Sequence, residues 1–182
     1  MTFYTTYPSP LGRLTLVSNG THITGLWLPG QTYDALPCDA QSDDGLSVFR
    51  LAAQWLDAYF GGEDLPPIPP LAPEGTAFRK AVWEALREIP YGEVTTYGAI
   101  AEKLAWQGIQ TSPRAVGGAV GRNPISILIP CHRVIGADGT LTGYAGGLEA
   151  KRFLLDMEAL YCREESPESD MDFEKSSYYG IS

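Results

Sequence analysis

The chain has 182 residues, 44% of them apolar and 19% charged, with a formal net charge of −9. That is enough chain for one domain, or two small ones around a real core, and too apolar a composition for a disordered polymer. No apolar run approaches the ~18 residues of a membrane span, and residues 1–18 lack the charged and apolar blocks of a secretory leader, so neither is expected.

The first thirty residues alternate in the manner of short strands: Phe3 to Tyr7, Arg13 to Val17 and Ile23 to Leu28. Pro8-Ser9-Pro10 and Ser18-Asn19-Gly20 read as the turns of an antiparallel meander. Residues 45–60 read as a helix, with Phe49, Ala52, Ala53, Leu56 and Phe60 on one face and Gly61-Gly62 as its stop. The proline-rich run from Pro66 to Pro73 cannot be helical and is expected to be an extended connector. It sets a boundary between a β-rich domain at 1–73 and a second domain at 74–162.

The second domain opens with a helix from Phe78 to Ile89, lined inward by Phe78, Ala81, Val82, Ala85, Leu86 and Ile89. Pro90-Tyr91-Gly92 breaks it. A helix over Tyr97 to Ala105, a polar turn, and a helix opened by Pro113 suggest a helix-turn-helix. Ile125 to Ile129 reads as a buried strand that delivers Pro130-Cys131-His132-Arg133. A turn at Gly136 to Gly139 and a glycine-rich loop at Gly143 to Gly147 follow. A last helix runs from Leu148 to Leu160, with Ala150, Phe153, Leu154, Met157 and Tyr161 inward. The tail at 163–182 is acidic and expected to be disordered. The fold class is α+β.

Charge is unevenly spread. Residues 1–75 hold 8 acids and 2 bases, residues 76–162 hold 8 acids and 9 bases, and residues 163–182 hold 6 acids and 2 bases. The middle segment is therefore slightly basic, and the net −9 does not exclude a polyanionic partner for it. Three cysteines, Cys38, Cys131 and Cys162, form no even framework and suggest free thiols in a reducing compartment, the cytoplasm. With His22 and His132 they make five scattered candidates and no Cys-x-x-Cys, so a closed Cys/His zinc site is not expected.

Three residues stand out chemically. A cysteine in an apolar setting is ordinarily inert core. Cys131, however, follows a proline at a turn, with His132 beside it, and an imidazole is the natural base for a thiol whose free pKa is ~8.5. Helix carboxylates are ordinarily solvated, yet Glu158 adjoins Met157 on the inward side of the last helix and could orient a histidine. Arg114 opens the helix carrying Gly117 and Gly118, each costing roughly 1 kcal/mol relative to alanine. Tight helix packing explains such glycines, and so does close approach of a phosphodiester.

The run Asn123-Pro124-Ile125-Ser126-Ile127-Leu128-Ile129-Pro130-Cys131-His132-Arg133-Val134-Ile135 resembles the active-site signature of the O6-alkylguanine-DNA alkyltransferases. The resemblance continues through Tyr91 to Tyr97, Arg114 to Ala119, Gly143 to Gly147 and the Glu158 helix, covering about 76–162. The first domain resembles the family's ribonuclease-H-like companion domain loosely. The resemblance implies a repair protein that flips an alkylated base out of double-stranded DNA and moves the alkyl group from guanine O6, and from thymine O4, to its own cysteine, once, as a monomer. Cys131 would be the acceptor, His132 the base acting through a water, and Glu158 the group orienting His132. Asn123 would brace the turn and Tyr97 would hydrogen-bond the departing guanine. Arg114 would fill the vacated stack, with Ala115, Gly117, Gly118, Thr95 and Thr96 against DNA. Val120, Arg133, Val134, Gly143, Tyr144 and Ala145 would line the pocket. Two departures are visible: Ala145 stands where some relatives have serine, and the turn from Ala105 to Ser112 is about three residues longer than usual.

Three other readings compete. Alkyltransferase-like damage binders share the scaffold but lack the acceptor cysteine, which is present here as Cys131. A Cys-His hydrolase would turn over a small substrate without DNA. A helix-turn-helix regulator would need specific base contacts and a dimer.

Overall fold

The structure is a computed structural model, and it describes residues 1–31 and 36–164. The expected acidic tail at 163–182 lies outside the described residues, apart from two positions that continue the last helix.

Strands β1 (Phe3–Ser9), β2 (Gly12–Ser18) and β3 (Ile23–Trp27) form the expected antiparallel meander. The first turn is tighter than the sequence reading. Pro8 and Ser9 stay in β1, and Ser9 pairs directly with Gly12, which takes φ 97°. Proline is tolerated there because β4 (Gln41–Ser42), a short parallel strand the sequence did not reveal, pairs only with Phe3 and Tyr4. The sheet order is β3-β2-β1-β4.

Helix α1 (Ser47–Gly61) packs on this sheet and ends at Gly62, held in the left-handed region at φ 67°. Its buried face carries Val48, Phe49, Ala52, Trp55, Leu56 and Tyr59. Ala53 and Phe60, expected inward, are only half-buried. The stripe is rotated because the two large aromatics, which have the most surface to remove from water, take the centre.

The proline-rich connector is extended but not free. Ile23 N–H donates to Pro70 O at 2.8 Å, and Ala72 N–H donates to Ile23 O at 2.8 Å. The same edge of β3 takes a second segment: Leu26 N–H donates to Pro124 O at 3.0 Å, and Ser126 N–H donates to Leu26 O at 3.1 Å. The edge of the first sheet thus holds the chain just ahead of Cys131, and one continuous core runs from Leu14 to Leu154 and Met157.

Helices α2 (Ala77–Arg87), α3 (Tyr97–Trp106) and α4 (Pro113–Val120) carry side-chain caps from Thr76, Thr96 and Ser112. Each accepts from the backbone N–H three residues on, as an N-cap requires. On α2, Phe78 and Ala81 are only half-buried, and Trp83 takes the inward place, donating its indole N–H to Ala119 O at 2.9 Å. This bond ties α2 to α4. The long turn between α3 and α4 is pinned by Ile109, whose N–H donates to Leu104 O, while Trp106 is left 91% exposed.

Ile125 to Ile129, expected as a strand, is a buried turn. Only Ile125 makes a bridge, to Leu26, and Ile127 takes φ 70°. The reason is Asn123, which meets the backbone needs of this apolar stretch locally. Its Nδ2 donates to Ile129 O at 2.8 Å and Ile125 O at 3.3 Å, and its Oδ1 accepts from Ile125 N–H at 3.0 Å. A one-turn 3₁₀ helix at Cys131–Arg133 follows. Then β6 (Val134–Ile135) pairs in parallel with β5 (Thr95–Thr96), a two-strand contact the sequence did not reveal. Helix α5 (Leu148–Glu164) closes the structure. Leu154 and Met157 face inward as expected, but Phe153 is 38% exposed and Lys151 and Glu158 are buried instead. Among the described residues no helix is long and apolar enough to cross a membrane.

Candidate active site

The 3₁₀ turn brings Cys131, His132 and Arg133 into the core, with Cys131 only 6% exposed and His132 not exposed at all. Neighbouring residues of a strand would point to opposite faces, whereas in this turn His132 and Arg133 both reach the carboxylate of Glu158. Glu158, also fully buried, meets them from α5.

The carboxylate of Glu158 is saturated with donors. Its Oε1 lies 2.6 Å from His132 Nε2, 2.6 Å from the Tyr59 hydroxyl and 2.9 Å from Arg133 Nη2. Its Oε2 accepts from Arg133 Nε at 2.9 Å and from Gly92 N–H at 3.2 Å. Burial alone would push this carboxyl up, but the hydrogen bond from His132 and the bonds and charge of Arg133 outweigh it and hold Glu158 at about 2. The group is therefore an anion at neutral pH, and an anion can only accept. His132 Nε2 must carry the proton, which leaves the lone pair on Nδ1. That Nδ1 is buried and has no hydrogen-bond partner among the described residues. Burial pushes the His132 imidazole below its ordinary range, against the pull of Glu158, so it rests neutral.

Burial likewise pushes the Cys131 thiol up, opposed by Asn123, by the charge of Lys151 and by nearby backbone N–H groups. Lys151 is the residue the sequence reading missed here. Its ammonium donates to Val134 O at 2.5 Å and Thr142 O at 2.9 Å, joining the strand after the cysteine to the loop before Gly143. The signal was present: Lys151, Leu154 and Glu158 share one face of α5 at offsets 0, 3 and 7. Tyr59 and Gly92 were also missed. Gly92 holds φ 77°, and a Cβ there would sit 2.2 Å from Cys162 Sγ, so only glycine fits at this approach to Glu158.

The other expected site residues fall in three places. Tyr97 starts α3, and its hydroxyl donates to Thr142 O at 3.2 Å, beside the glycine-rich loop. Val134 and Val120 are buried, Tyr144 is half-buried, and Gly143 and Ala145 are exposed. Arg133, also expected along the pocket, is buried. Its guanidinium is bound to Glu158 and to Ile89 O at 2.8 Å and lies over the Tyr91 ring, because a buried cation must be matched by a buried anion. Arg114, Ala115 and Gly118 are exposed on α4, while Gly117, Thr95 and Thr96 are half-buried. A Cβ on Gly118 would meet nothing within 4 Å, and one on Gly117 would make an ordinary 3.6 Å contact with Tyr97. Packing within the chain does not demand either glycine. Among the described residues no group of three or more His, Cys, Asp or Glu is arranged to hold a metal ion.

Comparison with known proteins adds a separate finding. Residues 2–72 match the family described as 6-O-methylguanine DNA methyltransferase, ribonuclease-like domain, and residues 77–160 match its DNA binding domain. A methylated-DNA–protein-cysteine methyltransferase from Haemophilus influenzae is 50% identical over 159 residues, 87% of each chain. One of the same name from Methanosarcina acetivorans is 45% identical over 86% of this chain and 97% of its own. The solved structure of Mycobacterium tuberculosis OGT in complex with DNA superposes with a TM-score of 0.79 at 45% identity, covering 87% of this chain and 94% of that one.

Proposed function

This chain belongs to the 6-O-methylguanine DNA methyltransferase family, and from that premise we propose that it repairs DNA by moving the alkyl group of O6-alkylguanine, and of O4-alkylthymine, onto Cys131. The observation that carries the reading is the paired state of His132: Nε2 is pinned to an ionised Glu158 at 2.6 Å, and the buried Nδ1 lone pair is unused among the described residues and able to take a proton. A thiol pushed up by burial is unreactive by itself and needs that base.

The reaction begins with extrusion of the damaged base, since its O6 substituent is out of reach inside a duplex, and unstacking costs a few kcal/mol. Arg114, exposed on the first turn of α4, offsets part of that cost by filling the stack. The open face of Gly118, with the small Gly117 next to it, lets α4 lie close against the nucleic acid, with Ala115, Thr95 and Thr96 beside it. His132, through a water, takes the thiol proton. The thiolate attacks the alkyl carbon, forming one C–S bond as the C–O bond breaks. The Tyr97 hydroxyl supports the departing guanine, which leaves neutral, so that the proton lost by the thiol ends on the base. Asn123 holds the turn on which Cys131 rides, and Val120, Val134, Gly143, Tyr144 and Ala145 surround the flipped base.

The thioether is inert, so each molecule acts once, as a monomer and without a cofactor. The division into a companion domain at 1–73 and an alkyltransferase domain at 74–162 belongs to this reading. So does the cytoplasm, where Cys131 stays a free thiol. The test is mass spectrometry after incubation with a duplex containing O6-methylguanine. The peptide bearing Cys131 should gain one methyl per molecule, and Cys131→Ser should gain none while still binding the duplex. A methyl on Cys38 or Cys162, or repeated turnover, would overturn the assignment.

A further inference from the structure

Tyr59 belongs to α1, in the half of the chain on which the transfer chemistry does not otherwise draw. Its ring is 1% exposed, stacked on Trp55 at 5.0 Å and edge-on to Phe60 and Tyr91 at 5.2 and 5.8 Å. Phenylalanine would fill that space equally well. The hydroxyl instead crosses to α5, donating to Glu158 Oε1 at 2.6 Å and lying 3.4 Å from His132 Nε2. The same carboxylate oxygen therefore serves the imidazole and the phenol together.

We infer that Tyr59 is a positioning residue for alkyl transfer: through Glu158 Oε1 it fixes the His132 imidazole beside Cys131 and sets how tightly that imidazole holds a proton. The inference rests on His132 being the base. The charged and titratable groups around this imidazole are Glu158 and Lys151 from α5, Arg133 and Cys131 from its own turn, and Tyr59 from α1. Tyr91 faces the same carboxylate and guanidinium from the segment after α2, and Tyr144 faces the carboxylate and the thiol from the glycine-rich loop. Each donor to Oε1 draws charge from the carboxylate. Removing the Tyr59 donor leaves more of that charge for His132, which then keeps its proton to higher pH and is less often the free base. The carboxylate also loses one of the contacts that stop it rotating. The ribonuclease-like half of the molecule thereby enters the chemistry through one hydroxyl.

The experiment is the single-turnover rate of methyl transfer from O6-methylguanine duplex DNA, measured from pH 5.5 to 9 in the full chain. Tyr59→Phe keeps the stacked ring and removes only the oxygen. It should slow transfer about ten- to hundredfold near neutral pH, the loss expected for a hydrogen bond to a charged group. The acid limb of the profile should move up by roughly half to one pH unit. Site-specific fluorotyrosine at 59, a stronger donor of nearly the same size, should move the limb the other way, and it answers the question even if the phenylalanine variant folds poorly. Tyr7→Phe is the control. It removes a similar hydroxyl bond onto α1, to Asp57 Oδ1 at 2.6 Å, with no contact to Glu158, and should leave the limb in place. A Tyr59→Phe limb that coincides with wild type overturns the inference, as does an equal shift in Tyr7→Phe, which would reduce Tyr59 to domain docking. In His132→Gln the limb should vanish. If it persists, His132 is not the base and both readings fall; if it vanishes while Tyr59→Phe leaves the limb in place, Tyr59 alone is excluded.

Discussion

His132 Nε2 and Glu158 Oε1 lie 2.6 Å apart with neither side chain open to water. The pair couples the turn at Cys131–Arg133 to α5, and it makes the folded state sensitive to acid. Glu158 is held at about 2, against about 4.3 in an unfolded chain. A group depressed on folding stabilises the fold above its unfolded value and loses that contribution as pH falls toward its folded value. His132 is also depressed by burial, so the unfolded chain takes up that proton first. Stability should therefore begin to fall below about pH 6.5 and fall further between about 4.3 and 2. Urea midpoints measured from pH 8 to 3 check this. A midpoint flat down to pH 4 would show that the pair is not ionised as described.

Lys151→Met should leave α5 intact and weaken the thiol. Methionine fills the aliphatic volume, but the ammonium bonds to Val134 O and Thr142 O are lost, along with a positive charge that opposes the upward push on Cys131. The pH at which Cys131 reacts with iodoacetamide should rise by about one unit. An unchanged profile would leave Lys151 a tie between two backbone segments and nothing more.

Tyr97→Phe should slow transfer by about 10²-fold, the low end for losing a positioned proton donor. Folding should change by no more than about 1.5 kcal/mol, since the hydroxyl gives up two long, exposed bonds, one donated to Thr142 O at 3.2 Å and one accepted from the Thr142 hydroxyl at 3.4 Å. Single-turnover kinetics beside a thermal melt separate the two effects. A wild-type rate would make Tyr97 a packing residue.

Arg114→Ala should impair repair of duplex DNA far more than reaction with a free O6-alkylguanine base, which needs no flipping. The side chain is exposed at the start of α4 and can reach a groove. A simple phosphate contact would instead weaken duplex binding uniformly and lower the salt slope by about one. Equal losses on duplex and free base would return Arg114 to the fold.

What the sequence determined by itself was whatever is settled within one turn of chain. Thr76, Thr96 and Ser112 cap their helices through hydrogen bonds spanning three residues, and Pro113 sits at the first turn of α4. These starts, and the order Pro130-Cys131-His132 at a turn, were legible because their causes are local. The tertiary structure decided the rest. Ile125 to Ile129 has the composition of a strand, yet Asn123 satisfies its backbone and makes it a turn. The two-residue strands β4, β5 and β6 exist only because a partner strand comes alongside. The Arg133 guanidinium turned to Glu158, Tyr59 reached the same carboxylate and Lys151 found two backbone carbonyls, for one physical reason. A buried charge or hydroxyl must find its partner wherever the fold brings one, and Glu158 gathers donors from α1, from the segment after α2 and from the catalytic turn. No periodicity or spacing records a convergence between residues 25 to 99 positions apart.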